Sequence, residues 1–188
     1  MLAVIGGSGL TQLANLNVSH REVLRTPYGE PSGALTFGQI CGREVAFLAR
    51  HGYGHTIAPH EVKYQANIWA LCNRGVTRIV SVASVGCIRA DLKPGDVVIP
   101  HQIIDYTWGR KSTFHEGPDK SVTHIDFTEP YDEPLRRKLI EGHQCEAGHG
   151  HRHPEGIDKN RQHAPQQARR QGISQQQGKQ DGAIRVRA

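Results

Sequence analysis

The composition changes after Glu141, and this change limits which residues can build a hydrophobic core. Residues 142–188 contain no aromatic residue and are rich in Gln, Gly, His and Arg. Their large aliphatic residues are Ile157, Ile173, Ile184 and Val186. Such a segment buries too little apolar surface to offset the entropy lost on ordering. The sequence therefore predicts a folded part at residues 1–141 and a disordered tail at residues 142–188.

The tail also carries most of the net charge. It has eight Lys and Arg residues against four Asp and Glu residues, which gives +4, whereas the whole chain has +5. The folded part is therefore near neutral (5 − 4 = +1), and the basic character says little about its ligands. A basic nucleic-acid binder is disfavoured, because the tail lacks aromatic residues for base stacking and no nucleic-acid motif is present.

Residues 1–141 alternate between strand-like and helix-like patterns, which is typical of the α/β class. Apolar or β-branched runs predict strands at 2–5 and 77–86 and a strand region at 97–107, and Gly42 separates the two strands of a hairpin. One helix is predicted from about His60 to Arg74, with Glu61 in its first turn and Gly75 as its stop. A second begins at Asp132 as the N-cap and ends at Gly142.

Small or polar residues follow three of the predicted strands. These are Gly6-Gly7-Ser8-Gly9, Arg50-His51 and Ala83-Ser84. Ligands of open α/β sheets bind outside the carboxyl ends of the strands. Glycine lets backbone N–H groups approach an anion, a serine hydroxyl adds a donor, and arginine offers a fork that matches phosphate oxygens. The pattern indicates a phosphate site at this edge of the sheet.

Each of these features also has an ordinary structural explanation. The GGSG segment is neither a Walker A loop nor a dinucleotide-binding fingerprint, and glycines at a strand end are more often only a turn. Arg50 alone is more often a surface ion pair, His51 a structural histidine, and Ser84 a buried hydroxyl with a satisfied hydrogen bond. Taken together, the residues alone leave the phosphate site and the structural explanation about equally supported.

Longer motifs carry a resemblance to a known family. The segments IGGSGL (5–10), LARHGYGHTIAPHEVKYQANIWAL (48–71), GCIRADLKPGDVVIP (86–100) and VTHIDFTEPYDEPLR (122–136) resemble the methylthioadenosine phosphorylase branch of the purine nucleoside phosphorylase family. The segment QIIDYTWGRKSTF (102–114) is most similar to its bacterial methylthioinosine phosphorylases. The resemblance runs from Leu2 to about Glu141.

The resemblance implies an α/β fold with a mixed central sheet flanked by helices, assembling as a homotrimer. It implies cleavage of S-methyl-5'-thioinosine or S-methyl-5'-thioadenosine by phosphate, giving a free purine and 5-methylthioribose 1-phosphate, with no metal or organic cofactor. By position, the phosphate ligands are Ser8, Arg50, His51, Ala83 and Ser84. His124 is implied to reach the nucleoside of a neighbouring subunit, and His55 to lie near the site.

Two departures from the family are visible. At 83–84 the family has Asn-Ala or Thr-Ala, so a polar side chain is missing at Ala83. After Gly142 nothing matches, so the fold is incomplete at its C-terminus and no general acid is identified. The sequence therefore leaves two alternatives open. The first is an active phosphorylase, whose substrate carries a 6-oxo or a 6-amino purine. The second is an inactive truncated or frameshifted fragment.

The remaining expectations concern location and metals. Cys41, Cys72, Cys87 and Cys145 form no CxxC pair, which favours reduced thiols and a cytoplasmic protein. Neither a signal peptide nor a membrane-spanning stretch is predicted. The histidines of HGHRH (149–153) alternate and could bind a metal weakly, but chance composition of the tail explains them better.

Overall fold

The computed structural model describes residues 1–118 and 121–147. Within these residues the chain forms five strands and two helices. In chain order they are β1 (Leu2–Gly6), β2 (Asn17–Glu22), β3 (Leu35–Ile40), β4 (Arg43–Ala49), α1 (Tyr64–Asn73), β5 (Arg78–Ser81) and α2 (Glu133–Ala147). The tail from residue 148 onward, with its predicted disorder and the HGHRH motif, lies outside the described residues.

The strands form one mixed sheet in the order β2-β3-β4-β1-β5. β1 pairs in parallel with β4 on one side and β5 on the other, whereas β2, β3 and β4 form an antiparallel meander. Cys41 and Gly42 link β3 to β4 with φ values of 49° and 73°. Two positive φ values are the signature of a tight hairpin turn, so the predicted hairpin and the mixed α/β sheet are confirmed.

The core lies between the centre of the sheet and α1. Val45 to Ala49 of β4 are all buried, which shows that both faces of this strand are covered. From the helix side, Ala70 and Leu71 pack into the same cluster as residues of the sheet. The sheet members are Ala3, Ile5, Leu35, Phe37, Ala46, Leu48 and Ile79. This core holds β4, β1 and β5 in place, and these are the strands whose ends carry the candidate site.

α1 begins at Tyr64, four residues later than predicted. Glu61 lies in a separate turn, because its N–H donates to Ala58 O at 2.9 Å and its carboxylate accepts from Ala58 N at 3.3 Å. The predicted stop is confirmed. Gly75 has φ 75°, its N–H donates to Cys72 O, and Val76 N donates to Leu71 O, which together form a Schellman motif.

α2 begins as predicted but runs further. The Asp132 carboxylate accepts a hydrogen bond from Leu135 N at 2.9 Å, which is the geometry of an N-cap. Gly142 does not stop the helix, which continues to Ala147. A glycine inside a helix costs only about 1 kcal/mol relative to alanine, so its helix-forming neighbours override it. The predicted boundary after Glu141 therefore falls inside α2.

The strand predictions fail where a strand lacks a second neighbour or a hydrophobic pattern. The predicted strand 77–86 is shortened to Arg78–Ser81, and it lies at the edge of the described sheet. No strand forms at 97–107, where Val97, Val98 and Ile104 are exposed. β2 was not predicted, because its residues are mostly exposed and show no apolar alternation. Within residues 1–118 and 121–147, neither helix has the length and hydrophobicity needed to cross a membrane.

Candidate functional site

The carboxyl ends of β4, β1 and β5 lie side by side. Gly6 pairs with Ala49, and Ile5 pairs with Ser81. The hydrogen bonding continues one residue past two of the strands, because Arg50 N donates to Gly6 O and Val82 N donates to Ile5 O, each at 2.9 Å. The three predicted donor-bearing segments therefore begin next to one another, on the side of the sheet where the carboxyl ends of β4, β1 and β5 lie.

The loop after β1 is a tight turn that needs its glycines. Leu10 N donates to Gly7 O at 3.1 Å, and Gly9 has φ 85°, a conformation that side chains disfavour. A Cβ on Gly6 would run into Leu10 O and the Phe47 ring. The glycines therefore allow the chain to reverse directly at the strand end.

Gly7 is the point at which the three segments meet. A Cβ on this residue would lie 2.5 Å from Val82 O, 2.6 Å from Arg50 Nη2 and 3.2 Å from Ala83 Cα. The guanidinium of Arg50 and the backbone after β5 thus both approach the glycine loop at Gly7. The structure brings together the segments of Ser8, Arg50 and Ala83-Ser84, as expected for one shared site.

Arg50 and His51 are almost completely buried, with 4% and 5% of their surface exposed. Arg50 Nε donates to His51 Nε2 at 3.4 Å, and Arg50 Nη1 donates to Ser81 Oγ at 3.5 Å. The other ring nitrogen of His51, Nδ1, donates to Ile57 O at 2.8 Å. A buried, hydrogen-bonded guanidinium is better suited to a bound anion than to a solvent-exposed ion pair.

Ser8 and Ser84 are joined by a hydrogen bond from a side chain to the backbone. The hydroxyl of Ser84 donates to the carbonyl of Ser8 at 3.0 Å. This bond ties the loop after β1 to the segment after β5, so in this arrangement Ser84 Oγ holds the two loops together. Ala83 contributes only its backbone to the meeting point.

Ser81 is a site residue that sequence reasoning missed. Its hydroxyl accepts from Arg50, but it lies inside the run TRIVSV, which was interpreted only as a strand. The available signal was a polar residue within the otherwise β-branched stretch IVSV (79–82).

The two outlying histidines differ in position. His55 is exposed and has φ 53°. Its ring lies 5.0 Å from the ring of His51 at an interplanar angle of 62°, so His55 lies beside the candidate site. His124 is exposed in residues 121–128, which form neither strand nor helix. Its predicted role toward a neighbouring subunit stays a prediction.

Residues 1–158 match the sequence profile of the phosphorylase superfamily. The chain belongs to this superfamily. The resemblance inferred from the sequence motifs is thereby confirmed, and the match to residue 158 runs past the limit at Glu141 that the motifs gave.

Several members of the superfamily are similar in sequence. A probable S-methyl-5'-thioinosine phosphorylase from Pseudomonas syringae pv. tomato is 49% identical over 138 residues, which cover 73% of this chain and 56% of the relative. A 6-oxopurine nucleoside phosphorylase from Pyrococcus furiosus is 47% identical over 144 residues, covering 74% of this chain and 53% of the relative. The chain therefore spans about half the length of the curated relatives it matches.

The fold is also similar to solved structures of the superfamily. The methylthioadenosine phosphorylase from Schistosoma mansoni in complex with adenine superposes with a TM-score of 0.74 at 37% identity. The match covers 78% of this chain and 52% of that chain. The mixed sheet with flanking helices is therefore the fold of this part of the superfamily domain.

Three groups with a perturbed pKa lie away from the strand ends. Donation from the Thr107 hydroxyl and amide lowers the pKa of Asp105, and Arg89 lowers the pKa of Asp91. Burial raises the pKa of the Cys72 thiol on α1, which keeps it protonated. None of these three groups supplies an acid or base at the strand ends.

The described residues contain no cluster of three or more His, Cys, Asp or Glu side chains arranged to hold a metal ion. A separate cavity of about 490 Å³ is lined by Tyr28, Gln65, Lys111, Phe114, Glu116 and Gly117. These residues are not those of the strand ends, so the cavity is distinct from the candidate site.

Proposed function

We propose that the chain is the phosphate-binding part of a purine nucleoside phosphorylase-type pentosyltransferase. The reaction is cleavage of S-methyl-5'-thioinosine or S-methyl-5'-thioadenosine by phosphate, giving a free purine and 5-methylthioribose 1-phosphate. The observation that carries the proposal is the approach of Arg50 Nη2 to Gly7, at the edge where three strand ends meet. The names of the similar proteins supply the substrate class.

The phosphate ligands in this proposal are Arg50, His51, the Ser8 hydroxyl and the backbone N–H groups of the segments at 7–9 and 83–84. Phosphate attacks C1′ while the glycosidic bond loosens and the sugar gains oxocarbenium character. The task of the protein is to hold the dianion in line with the breaking bond. A fixed arginine and backbone amides are suited to this task.

Departure of the purine requires a hydrogen-bond donor at its N7 or its six-position, and we assign no described residue to this role. General-acid assistance typically contributes about 10²–10⁴-fold, so its absence would leave turnover low. Eleven of the thirteen large apolar side chains that are exposed among the described residues lie between Val82 and Phe127. This exposure is consistent with the second candidate, a catalytically inactive fragment that keeps the anion site.

The proposal includes partners that follow from the family. The active form is a homotrimer in which His124 reaches a neighbour's nucleoside and His55 flanks the site. Inorganic phosphate is a co-substrate, and the reaction needs neither a metal nor an organic cofactor. The compartment is the cytoplasm, and no membrane or specific nucleic acid takes part.

The test uses the purified 188-residue chain. Release of hypoxanthine or adenine is measured with phosphate and each thionucleoside, and phosphate binding is followed separately by ³¹P NMR. Turnover within tenfold of a full-length relative supports the active enzyme. Phosphate binding that is abolished by Arg50→Ala, without turnover, supports the inactive fragment. Absence of both rejects the proposed function.

A further inference from the structure

The cavity outside the strand-end site lies between the turn at 26–29, the first turn of α1 and the loop at 110–117. Its lining residues are Tyr28, Gln65, Lys111, Phe114, Glu116 and Gly117. Its volume of about 490 Å³ falls within the range of about 300–1,000 Å³ that is usual for small-molecule sites. The cavity therefore has the size of a ligand site and belongs to none of the roles assigned so far.

The turn that carries Tyr28 is held by its own hydrogen bonds. The backbones of Thr26 and Gly29 pair in both directions, at 3.1 and 3.3 Å. The Thr26 hydroxyl donates to Gly29 O at 2.6 Å and accepts from Tyr28 N at 3.1 Å. These bonds fix the backbone on both sides of Tyr28, so its ring has a defined position in the wall of the cavity.

The loop at 110–117 is attached to α1. The side-chain amide of Gln65 donates to Thr113 O. Arg110 Nη1 donates to the Tyr64 hydroxyl at 3.3 Å, and the guanidinium carbon lies 5.5 Å from the centre of the Tyr64 ring. Both partners on α1 belong to its first turn, so this wall is joined to a helix that packs in the core. The cavity is thus formed without a ligand.

Tyr28 and Phe114 give the cavity an aromatic corner. Their ring centres are 5.1 Å apart and their planes are inclined at 79°, which is the edge-to-face arrangement. Two nearly perpendicular rings offer a flat ligand an aromatic face on one side and an aromatic edge on the other. A planar ring therefore suits this corner better than an aliphatic chain does.

The charges around this corner are more often positive than negative. The cations of these segments are Lys63, Arg110 and Lys111, and the carboxylates are Glu30 and Glu116. Lys111 lines the cavity, and a Cβ on Gly29 would lie 3.0 Å from Lys63 Nζ. Among residues 1–118 and 121–147, no ion pair joins Lys111 to a carboxylate. An anionic group on the ligand would meet these ammonium groups.

We propose that this cavity binds a planar heteroaromatic ring that carries an anionic group, and that the class of ligand is a nucleoside 5′-monophosphate. The base occupies the corner between Tyr28 and Phe114, and the phosphate pairs with Lys111, which is exposed at the rim. The Glu116 carboxylate accepts from the N–H groups of the base. This site is separate from the strand-end phosphate site, so the inference goes beyond the proposed function and does not depend on it.

The location of binding is tested on the full chain without any substitution. Inosine 5′-monophosphate, which joins a planar base to a phosphate, is titrated into ¹⁵N-labelled protein. We expect the largest changes of amide signals at Tyr28, Gln65 and residues 111–117, and little change at Gly7 and Ser8. Changes concentrated at the strand ends, or no changes at all, would overturn the inference.

The aromatic corner is tested by Tyr28→Leu and Phe114→Leu, which keep an apolar side chain but remove the ring. We expect each to weaken the binding of inosine 5′-monophosphate about fivefold, in keeping with the loss of one aromatic contact. Tyr106→Leu is the matched control, because Tyr106 is 87% exposed and does not line the cavity. Affinities equal to that of the unmodified chain in both variants would contradict the corner as the binding surface.

The anionic group is tested by Lys111→Gln. We expect the nucleotide to bind this variant about fivefold more weakly and with a weaker dependence on salt, because exposed charges are screened by ions. Lys93→Gln is the matched control, since Lys93 is exposed and does not line the cavity. Inosine, which lacks the phosphate, should bind weakly and equally to both chains. Inosine binding as tight as that of the monophosphate would overturn the assignment of an anionic ligand.

Inorganic phosphate separates this inference from the proposed function. At constant ionic strength, phosphate at a concentration that fills the strand-end site should leave the affinity for inosine 5′-monophosphate unchanged. Competition between the two would show a shared site and reject the separate one. A chain that shows neither turnover nor phosphate binding, but keeps the amide changes at 111–117, would fail the proposed function and still support the nucleotide site.

Discussion

Gly7 lies where the backbone after β5 and the Arg50 side chain approach the loop after β1. The space for a Cβ is occupied by Val82 O and Arg50 Nη2, at 2.5 Å and 2.6 Å. The first neighbour is backbone, so it cannot move aside as a flexible side chain does. The identity of this residue therefore sets how closely the three segments can approach.

Gly7→Ala should push the segment after β5 and the guanidinium away from the loop. We expect a loss of about 1–3 kcal/mol of stability, as in other overpacked sites, together with weaker phosphate binding. Thermal unfolding and ³¹P NMR measure the two effects. Gly86→Ala is the control, because a Cβ there has no neighbour within 4 Å. Equal effects of both substitutions would argue against close packing at Gly7.

Arg50→Lys keeps the charge but removes the fork. A lysine has no Nε–H to donate to His51 and cannot present a fixed plane to two oxygens. We expect phosphate affinity to fall at least about tenfold, since hydrogen bonds to charged groups contribute about 1.5–3 kcal/mol. Arg43→Lys, at the exposed start of β4, is the matched control. Unchanged affinity in Arg50→Lys would show that only the charge matters.

At the scale of elements, the sequence predicted β1, β3, β4 and both helices. The strands were found because their apolar residues pack in the core, and the helices because residues typical of helix ends mark where they begin or stop. β2 could not be found in this way, since its pairing with β3 depends on backbone hydrogen bonds and its side chains face solvent. Two glycines shaped the helix predictions differently. Gly75 adopts a positive φ and ends α1, while Gly142 remains within α2. Residue type alone does not distinguish these cases.

The candidate site was more predictable than the elements around it. Gly7, Ser8 and Arg50 follow apolar runs directly, and parallel strands bring their carboxyl ends to one edge. Ser81 was missed because its contact with Arg50 depends on which strands are neighbours, a tertiary property. The ring orientation of His51 likewise depends on Ile57, which lies six residues further along a loop.

The Asp132 cap offers an element-scale prediction. Asp132 caps α2 and also lies 4.0 Å from Arg78 of β5, so it connects the helix to the edge strand. Asp132→Ala should lower the free energy of unfolding by about 1 kcal/mol, the usual effect of losing an N-cap. Asp132→Asn keeps a cap acceptor and should lose less. Chemical denaturation measures both, and equal losses would assign the effect to charge instead of capping.

Glu22 and Arg74 connect β2 to the end of α1, and the connection depends on pH. The hydrogen bond from Arg74 lowers the pKa of Glu22 below its ordinary value of 4.5. The stabilisation is therefore present above the unfolded-state pKa and is lost as pH falls through the lower folded-state pKa. An NMR titration of the Glu22 carboxyl should show a midpoint that rises in Arg74→Gln. A midpoint that does not change would rule out this pairing in solution.

At the scale of the whole molecule, the described part divides into a packed sheet and a segment with exposed apolar residues. Phe47 of β4 is 1% exposed, whereas Trp108 is 91% exposed and Ile88 is completely exposed. Patches of this kind normally contact another surface. The sheet with its strand-end site is thus the packed part, and residues 82–118 and 121–128 are the part with accessible apolar side chains.

Limited proteolysis should follow this division. Chymotrypsin is expected to cut first at Tyr106 and Trp108, and much later at Phe37 and Phe47, because cleavage needs an accessible backbone. Mass spectrometry of the early fragments identifies the sites, and the buried pair serves as the internal control. Early cleavage within β3 or β4 would show that the sheet is not the more stable unit.

The position of β1 between β4 and β5 has a consequence for the order of events during synthesis. β1 is made first, yet its two partners are about 40 and 75 residues further along the chain. The β3–β4 hairpin is local and can form before either of these long-range pairings. The proposed phosphate site is therefore complete only after β5 has left the ribosome and docked. On a nascent chain, phosphate binding would serve as a reporter that β5 is in place.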